Sequence, residues 1–201
     1  MKLVAMHRAS RMWTADAGLH PIDLELSAGE FVVVRGRSGS GKSTLLALLA
    51  GICRAGSGEV LVLGERPSPS TPWTRVALVP QVLALATELS IRENVVDGAA
   101  PEHRAGADQL LHRLGLLELA ERGVDEVSMG QQQRAAIARA VLVAPRLLLA
   151  DEPTSFQDSG HTATVIDTLR QAAGGGTGVL AVTHEQALSD AADRVIELTT
   201  I

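Results

Sequence analysis

The sequence predicts an α/β domain with a mainly parallel sheet, and three observations carry that prediction. The first is an alternation of short apolar runs with helical stretches. The runs are Phe31 to Val34, Gly58 to Gly64, Arg75 to Gln81, Arg146 to Pro153 and Gly178 to His184. Strand and helix in turn place strands side by side through crossover helices. The second is where the polar residues collect. Gly36, Gln81, Asp151, Glu152 and His184 stand at the carboxyl ends of those runs, the end at which open parallel sheets bind ligands. The third is a loop rich in glycine and serine between the first run and the helix after it.

Each element has its own signal. "FVVV" is a β-branched run that meets Gly36, so it reads as a buried strand entering a turn. "STLLALLAGI" repeats leucine at helical spacing and closes near Gly51. "GEVLVLG" reads as a strand, and "RVALVPQ" as another that Pro80 stops. Leucine spacing in "GADQLLHRLGLLELAER" predicts two helical segments between Ile91 and Glu121. "RLLLADEP" is an apolar run ending in two carboxylates, and "GVLAVTH" repeats that design with a histidine. "AAGGGTG", Ala172 to Gly178, reads as a flexible connector, and no second domain follows it.

Composition sets the outer bounds. The chain has 201 residues, 46% of them hydrophobic and 20% charged, which suits one folded domain with a full core. A net charge of -5 excludes a basic footprint, so no nucleic-acid partner is expected. No apolar run reaches the ~20 residues that span a bilayer, and the first ten residues lack the apolar core of a signal peptide. A cytoplasmic, soluble chain is expected, with any membrane part supplied by a partner. Cys53, the one cysteine, reads as a small core residue. His7, His20, His103, His112 and His161 read as ordinary surface residues with no ligand spacing.

"GRSGSGKST" fits the pattern G-x-x-x-x-G-K-[ST] at Gly36, Gly41, Lys42 and Ser43, with a strand before it and a helix after it. Glycine lets the backbone curl so that N–H groups across Gly36, Arg37, Ser38, Gly39, Ser40 and Gly41 point at phosphate oxygens. The helix that opens at Lys42, Ser43 and Thr44 adds its positive dipole end. Lys42 reaches the β- and γ-phosphates, and the Ser43 hydroxyl is placed to ligate Mg²⁺. Asp151, at a strand end, is placed to hold the same ion. Glu152 points another way and is placed to orient an attacking water. Acidic residues before proline are common in loops, so it is the loop at 36–44 that gives this pair its meaning.

Together these residues resemble the nucleotide-binding subunit of the ATP-binding cassette (ABC) transporters, from Met12 to the last strand with every motif in order. The resemblance implies a nucleoside triphosphatase fold with a mainly parallel core, an antiparallel β subdomain and a helical subdomain at about residues 82–140, all within one domain, 1–201. Gly36 to Ser43 resembles the Walker A loop, and "LLLADEP" resembles Walker B with Glu152 as catalytic glutamate. Gln81 resembles the Q-loop glutamine, implying contact with the γ-phosphate, with Mg²⁺ and with the membrane partner. "ELSIRENV", Glu88 to Val95, resembles the segment after it. His184 matches the switch histidine, and Asp158 in "TSFQD" lies in the D-loop. Trp13 sits where the family places an aromatic that stacks on adenine. Ser128, Met129, Gly130 and Gln131 in "VSMGQQQR" match the signature, which faces the ATP of a second subunit. The implied activity is ATP hydrolysis with ATP and Mg²⁺, driving a separate membrane permease from the inner face of the membrane. "LLLADEPTS" and "QQQRAAIARA" are similar to the short cassettes of lipoprotein release and macrolide export. A cassette ATPase acting on macromolecules, or a regulatory ATP-binding subunit, is the alternative.

The chain departs from the family at two places. Met129 replaces a signature glycine, and Phe156 and Gln157 stand where the D-loop usually has Ala and Leu. If φ at Met129 is positive, strain is on the order of 1–2 kcal/mol. If φ is negative, the side chain need only point away. The chain pairs either with itself, which the family's habits favour, or with a different cassette that leaves one site degraded.

Overall fold

The structure is a computed structural model that describes residues 1–14 and 17–198. Two sheets organise it. Strands β1 (Lys2–Met12), β2 (Gly18–Ser27) and β4 (Ser57–Val62) form an antiparallel sheet in the order β2-β1-β4. Strands β3 (Phe31–Gly36), β5 (Val76–Val79), β6 (Leu147–Asp151), β7 (Gly178–Thr183) and β8 (Arg194–Leu198) form a sheet in the order β5-β6-β7-β3-β8. Every neighbouring pair in that second sheet is parallel.

The continuous apolar runs have a simple cause. Strands buried on both faces need apolar residues at every position. Phe31 and Val33, Leu148 and Ala150, and Val179 and Ala181 join one core cluster, on the helical side. Val32 and Val34, Leu147 and Leu149, and Leu180 and Val182 join the other, against the antiparallel sheet. The two-residue period of a strand thus divides one run between two cores.

Helices fill both sides. On the antiparallel side lies α1 (Lys42–Leu49), which buries Leu45, Leu46, Leu48 and Leu49. On the other lie α2 (Ile91–Val96), α3 (Pro101–Arg104), α4 (Ala107–Arg113), α5 (Met129–Leu142) and α6 (Ser159–Gly174), with α7 (Gln186–Asp190) near β3. Ser90 and Glu93 start α2 with a reciprocal capping box. No helix among the described residues is long and apolar enough to cross a membrane.

Four expectations need correction. Between Ile91 and Glu121 the chain forms three short α-helices and a 3₁₀ turn at Leu117–Leu119 rather than two helical segments, because Gly98 and Pro101 break the helical run. Ala172 to Gly174 belong to α6, so the connector before β7 is shorter than its glycines suggest. Gly176, at φ 100, makes the turn, which is where glycine's freedom is used. Cys53 is only partly buried and lines a cavity of about 470 Å³ beside Arg54, because α1 ends before it and leaves it at the rim. Burial still pushes its thiol above the usual range, with the Arg11 charge opposing. His161 is no idle surface residue: its backbone N–H and its ring both bond the Asp158 carboxylate, each at 2.8 Å.

Candidate functional site

The order β6-β7-β3 puts three strand ends side by side. β3 delivers Gly36, β6 delivers Asp151, and β7 delivers Thr183 with His184 after it. These ends floor a cleft of about 670 Å³. Trp13, Gly36, Arg37, Ser38, Gly39, Gly41, Lys42, Ser43, Thr44, Gln81, Asp151, Glu152 and His184 line it, together with Ala17, Gly18 and Ser155.

The loop from Gly36 to Gly41 runs through two left-handed residues, Gly39 at φ 83 and Gly41 at φ 94. At Gly41 a second demand operates, since a Cβ there would lie 2.5 Å from the Gly18 carbonyl oxygen. Only glycine lets the loop close on β2. Helix α1 opens with no side-chain cap, so its first N–H groups lack a side-chain partner. Such an end attracts anions through orphan donors and dipole together. Lys42 Nζ donates to Gly36 O at 2.7 Å and Arg37 O at 3.4 Å, which holds the cation over the loop. Ser40 does not line the cleft. It is 4% exposed, and its hydroxyl is tucked against Gly36 with no partner among the described residues.

Across the cleft, Ser43 Oγ donates to Asp151 Oδ2 at 3.0 Å. Burial pushes the Asp151 carboxyl above its ordinary value. The Ser43 bond lowers it, the neighbouring Glu152 charge raises it, and Lys42 lowers it least. Glu152 has φ 47, a conformation that a side chain adopts at a cost of about 1–2 kcal/mol. Its surroundings hold it there. Its N–H donates to Val182 O at 2.9 Å, Thr183 Oγ1 donates to its Oε2 at 2.8 Å, and His184 N donates to the same oxygen at 3.3 Å. His184 Nδ1 lies 3.0 Å from Oε1, so the ring is drawn to the glutamate in this structure.

The oxygen donors fit a small hard cation. Ser43 and Asp151 already share a hydrogen bond, and Gln81 borders the same cleft. That set matches Mg²⁺, which takes one or two protein oxygens and completes its shell with phosphate and water.

Ser128, Met129, Gly130, Gln131 and Asp158 do not line this cleft. Ser128 caps α5: its hydroxyl accepts from Gln131 N at 3.3 Å, and Gln131 Oε1 accepts from Ser128 N at 2.8 Å. The S-x-x-Q spacing of a capping box was the signal for this pair. Met129 is the first residue of α5 and has no positive φ, so it carries no backbone strain, and the residue is 49% exposed. Gly130 is the tight position. A Cβ there would lie 2.5 Å from Phe156 O, and Gln157 Nε2 donates to Gly130 O at 3.0 Å. Gln157 also accepts from Arg134 Nη1 at 2.6 Å. Asp158 caps α6 through His161, and those bonds hold its carboxyl below the usual range.

Gly130→Ala therefore destabilises the chain. Alanine gains up to about 1 kcal/mol in helix propensity, but overpacking against a backbone carbonyl costs about 1–3 kcal/mol. Urea denaturation reads the net loss, and a stabilised variant would contradict the packing argument.

Two contributors escaped the sequence reading. Thr183 is fully buried and bonds Glu152, and Gln133 Nε2 reaches Glu152 O at 3.5 Å. A threonine just before the strand-end histidine was the visible signal for the first. Nothing in the sequence marked the second, because α5 meets β6 only in the fold.

A family model described as "ABC transporter" matches residues 19–155. The macrolide export ATP-binding/permease protein of Nitrosomonas europaea is 40% identical over 193 residues, covering 90% of this chain and 29% of that protein. The lipoprotein-releasing system ATP-binding protein of Anaeromyxobacter dehalogenans is 38% identical, covering 90% of this chain and 82% of that one. A dimeric ATP-binding cassette in a post-hydrolysis state with ADP and Pi superposes at a TM-score of 0.86 and 27% identity, covering 98% of this chain and 95% of its own. Strand ends, phosphate loop and relatives agree, and the chain belongs to the ABC transporter family.

Proposed function

We propose that the chain is the ATP-hydrolysing subunit of an ABC transporter, working as a head-to-tail dimer beneath a separate membrane permease. One observation carries the reading: a single cleft joins the phosphate loop, Ser43 bonded to Asp151, and Glu152 held at positive φ. We read 1–201 as one nucleotide-binding domain with a helical subdomain at about 82–140.

Each residue has a task in this proposal. Trp13 stacks on the adenine. Backbone N–H groups of Gly36 to Gly41 and the start of α1 take the phosphates, with Lys42 at the outer two. Ser43, Asp151 and Gln81 hold Mg²⁺, which neutralises developing charge on the phosphate oxygens when bound. Glu152 accepts a hydrogen bond from the attacking water and orients it in line. Thr183 fixes one oxygen of Glu152 and leaves the other to His184 and the water. His184, with its side chain 70% exposed, is free to turn from Glu152 toward the terminal phosphate.

The signature residues serve the ATP of the other subunit. That they do not line this chain's own cleft supports that role. The capped N-terminus of α5 keeps the Met129 and Gly130 N–H groups available as donors. The unstrained Met129 supports pairing with a second copy rather than a degraded site. Met129→Gly is expected to lower stability by about 0.5–1 kcal/mol through helix propensity and to leave ATP turnover little changed. A large rise in turnover would show instead that the methionine limits the site.

The partner's place is also open to proposal. A groove of about 440 Å³, lined by Trp73, Ala84, Asp97 and Arg139 among others, lies three residues past Gln81. Arg139 stacks on Trp73 at 4.9 Å. This is where a cytoplasmic element of the permease would sense the site through Gln81. The purified chain should release phosphate from ATP in the presence of Mg²⁺. No turnover alone or with a co-expressed permease would sink the reading, and stimulation by ribosomes or DNA would favour an ATPase acting on macromolecules.

A further inference from the structure

The Trp13 ring makes two contacts that base stacking does not require. Its Nε1–H donates to Thr44 Oγ1 at 3.0 Å. The Arg11 guanidinium lies 4.5 Å from the ring centroid and covers one face. The ring is otherwise 54% exposed and borders the cleft. Trp13 N and Thr14 N both donate to Ala17 O, at 2.8 and 3.2 Å.

Thr44 stands in the first turn of α1, directly after Ser43. A hydroxyl accepts with its lone pairs and donates with its one proton. When the indole N–H fills an acceptor position, the Thr44 O–H is left to turn into the cleft. A nucleotide with its base on Trp13 and its terminal phosphates at Lys42 and Ser43 brings its first phosphate past Thr44.

We propose that Trp13, Arg11 and Thr44 form a latch that couples base recognition to phosphate binding. The proposal rests on the nucleotide reading above. Arg11 is a positioning residue that closes one face of the indole by cation–π contact and offers the base the other. Trp13 Nε1–H orients the Thr44 hydroxyl, and that hydroxyl donates to a phosphate oxygen. The chain Nε1–H to Oγ–H to phosphate is cooperative, each bond polarising the next toward the charged end. The indole thus acts on the phosphate without touching it, and a phenyl ring at the same place would not.

The test compares ATP with tripolyphosphate, which has no base to stack. Affinities of both are measured calorimetrically for the full chain and for Trp13→Phe, Thr44→Val and the double variant. The latch predicts that Trp13→Phe weakens tripolyphosphate about fivefold, as Thr44→Val does, because each breaks one bond of the same chain. The double variant is no weaker than the worse single variant, and Thr44→Ser, by restoring the hydroxyl, recovers what Thr44→Val loses. Trp13 acting as a stacking surface alone would leave tripolyphosphate untouched in Trp13→Phe. That result, or losses that multiply in the double variant, overturns the latch and leaves ATP binding standing. An unaltered chain that binds neither ATP nor tripolyphosphate overturns the nucleotide reading and the latch with it.

Discussion

Glu152→Gln abolishes turnover and preserves the fold. Loss of the carboxylate proposed to orient water lowers the hydrolysis rate by about 10²–10⁴-fold. The binding site survives because glutamine repeats the shape. Its amide oxygen accepts from Thr183 Oγ1 and His184 N, the two donors that Glu152 Oε2 now satisfies. Its NH₂ then faces His184 Nδ1, which accepts in the matching neutral tautomer. ATP affinity therefore stays near that of the unaltered chain. Phosphate release and ATP binding measured on one preparation check both halves. Turnover within a few-fold of the unaltered chain would remove Glu152 from the chemistry. Lost binding would mean that the glutamate holds the cleft open instead of serving the reaction.

Asp151→Asn separates stability from function. Asp151 is 7% exposed, and burial together with the neighbouring Glu152 charge raises its pKa more than Ser43 and Lys42 lower it. The folded chain therefore binds this proton more tightly than the unfolded chain does. Stability falls as pH climbs from the ordinary aspartate value through the raised one, and the whole cost is present above that window. Asparagine has no charge to desolvate and still accepts from Ser43 Oγ, so the nucleotide-free variant is the more stable chain at neutral pH. Its advantage shrinks as the pH is lowered through the window. Mg²⁺-dependent hydrolysis meanwhile falls by at least about a hundredfold, since the metal is worth several kcal/mol to the transition state. Melting curves across pH, with a parallel assay, test the pair of effects. A variant less stable than the parent at neutral pH would show that Asp151 is held by its partners and not penalised by burial.

The parts of the fold that were legible in sequence are those where one force dominates. Double-sided burial wrote the runs at 31–34, 147–150 and 179–182 in continuous apolar letters. Backbone curvature wrote Gly36, Gly39 and Gly41. The first strand was not legible, because β1 departs from a clean alternation. Its register shifts between Met6 and Ala9 and again before Arg11, and Arg8 sits at φ 45. Bulges of this kind break the two-residue period that identifies a strand. The cleft was legible through strand ends, yet the way Glu152 is held was not. Thr183 and Gln133 reach it from β7 and α5, and such meetings depend on sheet order rather than on any local spacing. Met129 shows the converse. A missing glycine left strain open as one of two outcomes, but a helix start needs only negative φ, and methionine supplies it freely.

In the proposed dimer, ATP bound in this cleft is hydrolysed with Glu152 only when a second copy supplies its signature residues. Phosphate release per chain, measured over a wide range of protein concentration, tests it most directly. The rate per chain is expected to climb with concentration toward a plateau, with a flat baseline at every concentration for Glu152→Gln. A per-chain rate independent of concentration, or turnover that persists without Glu152, would contradict it.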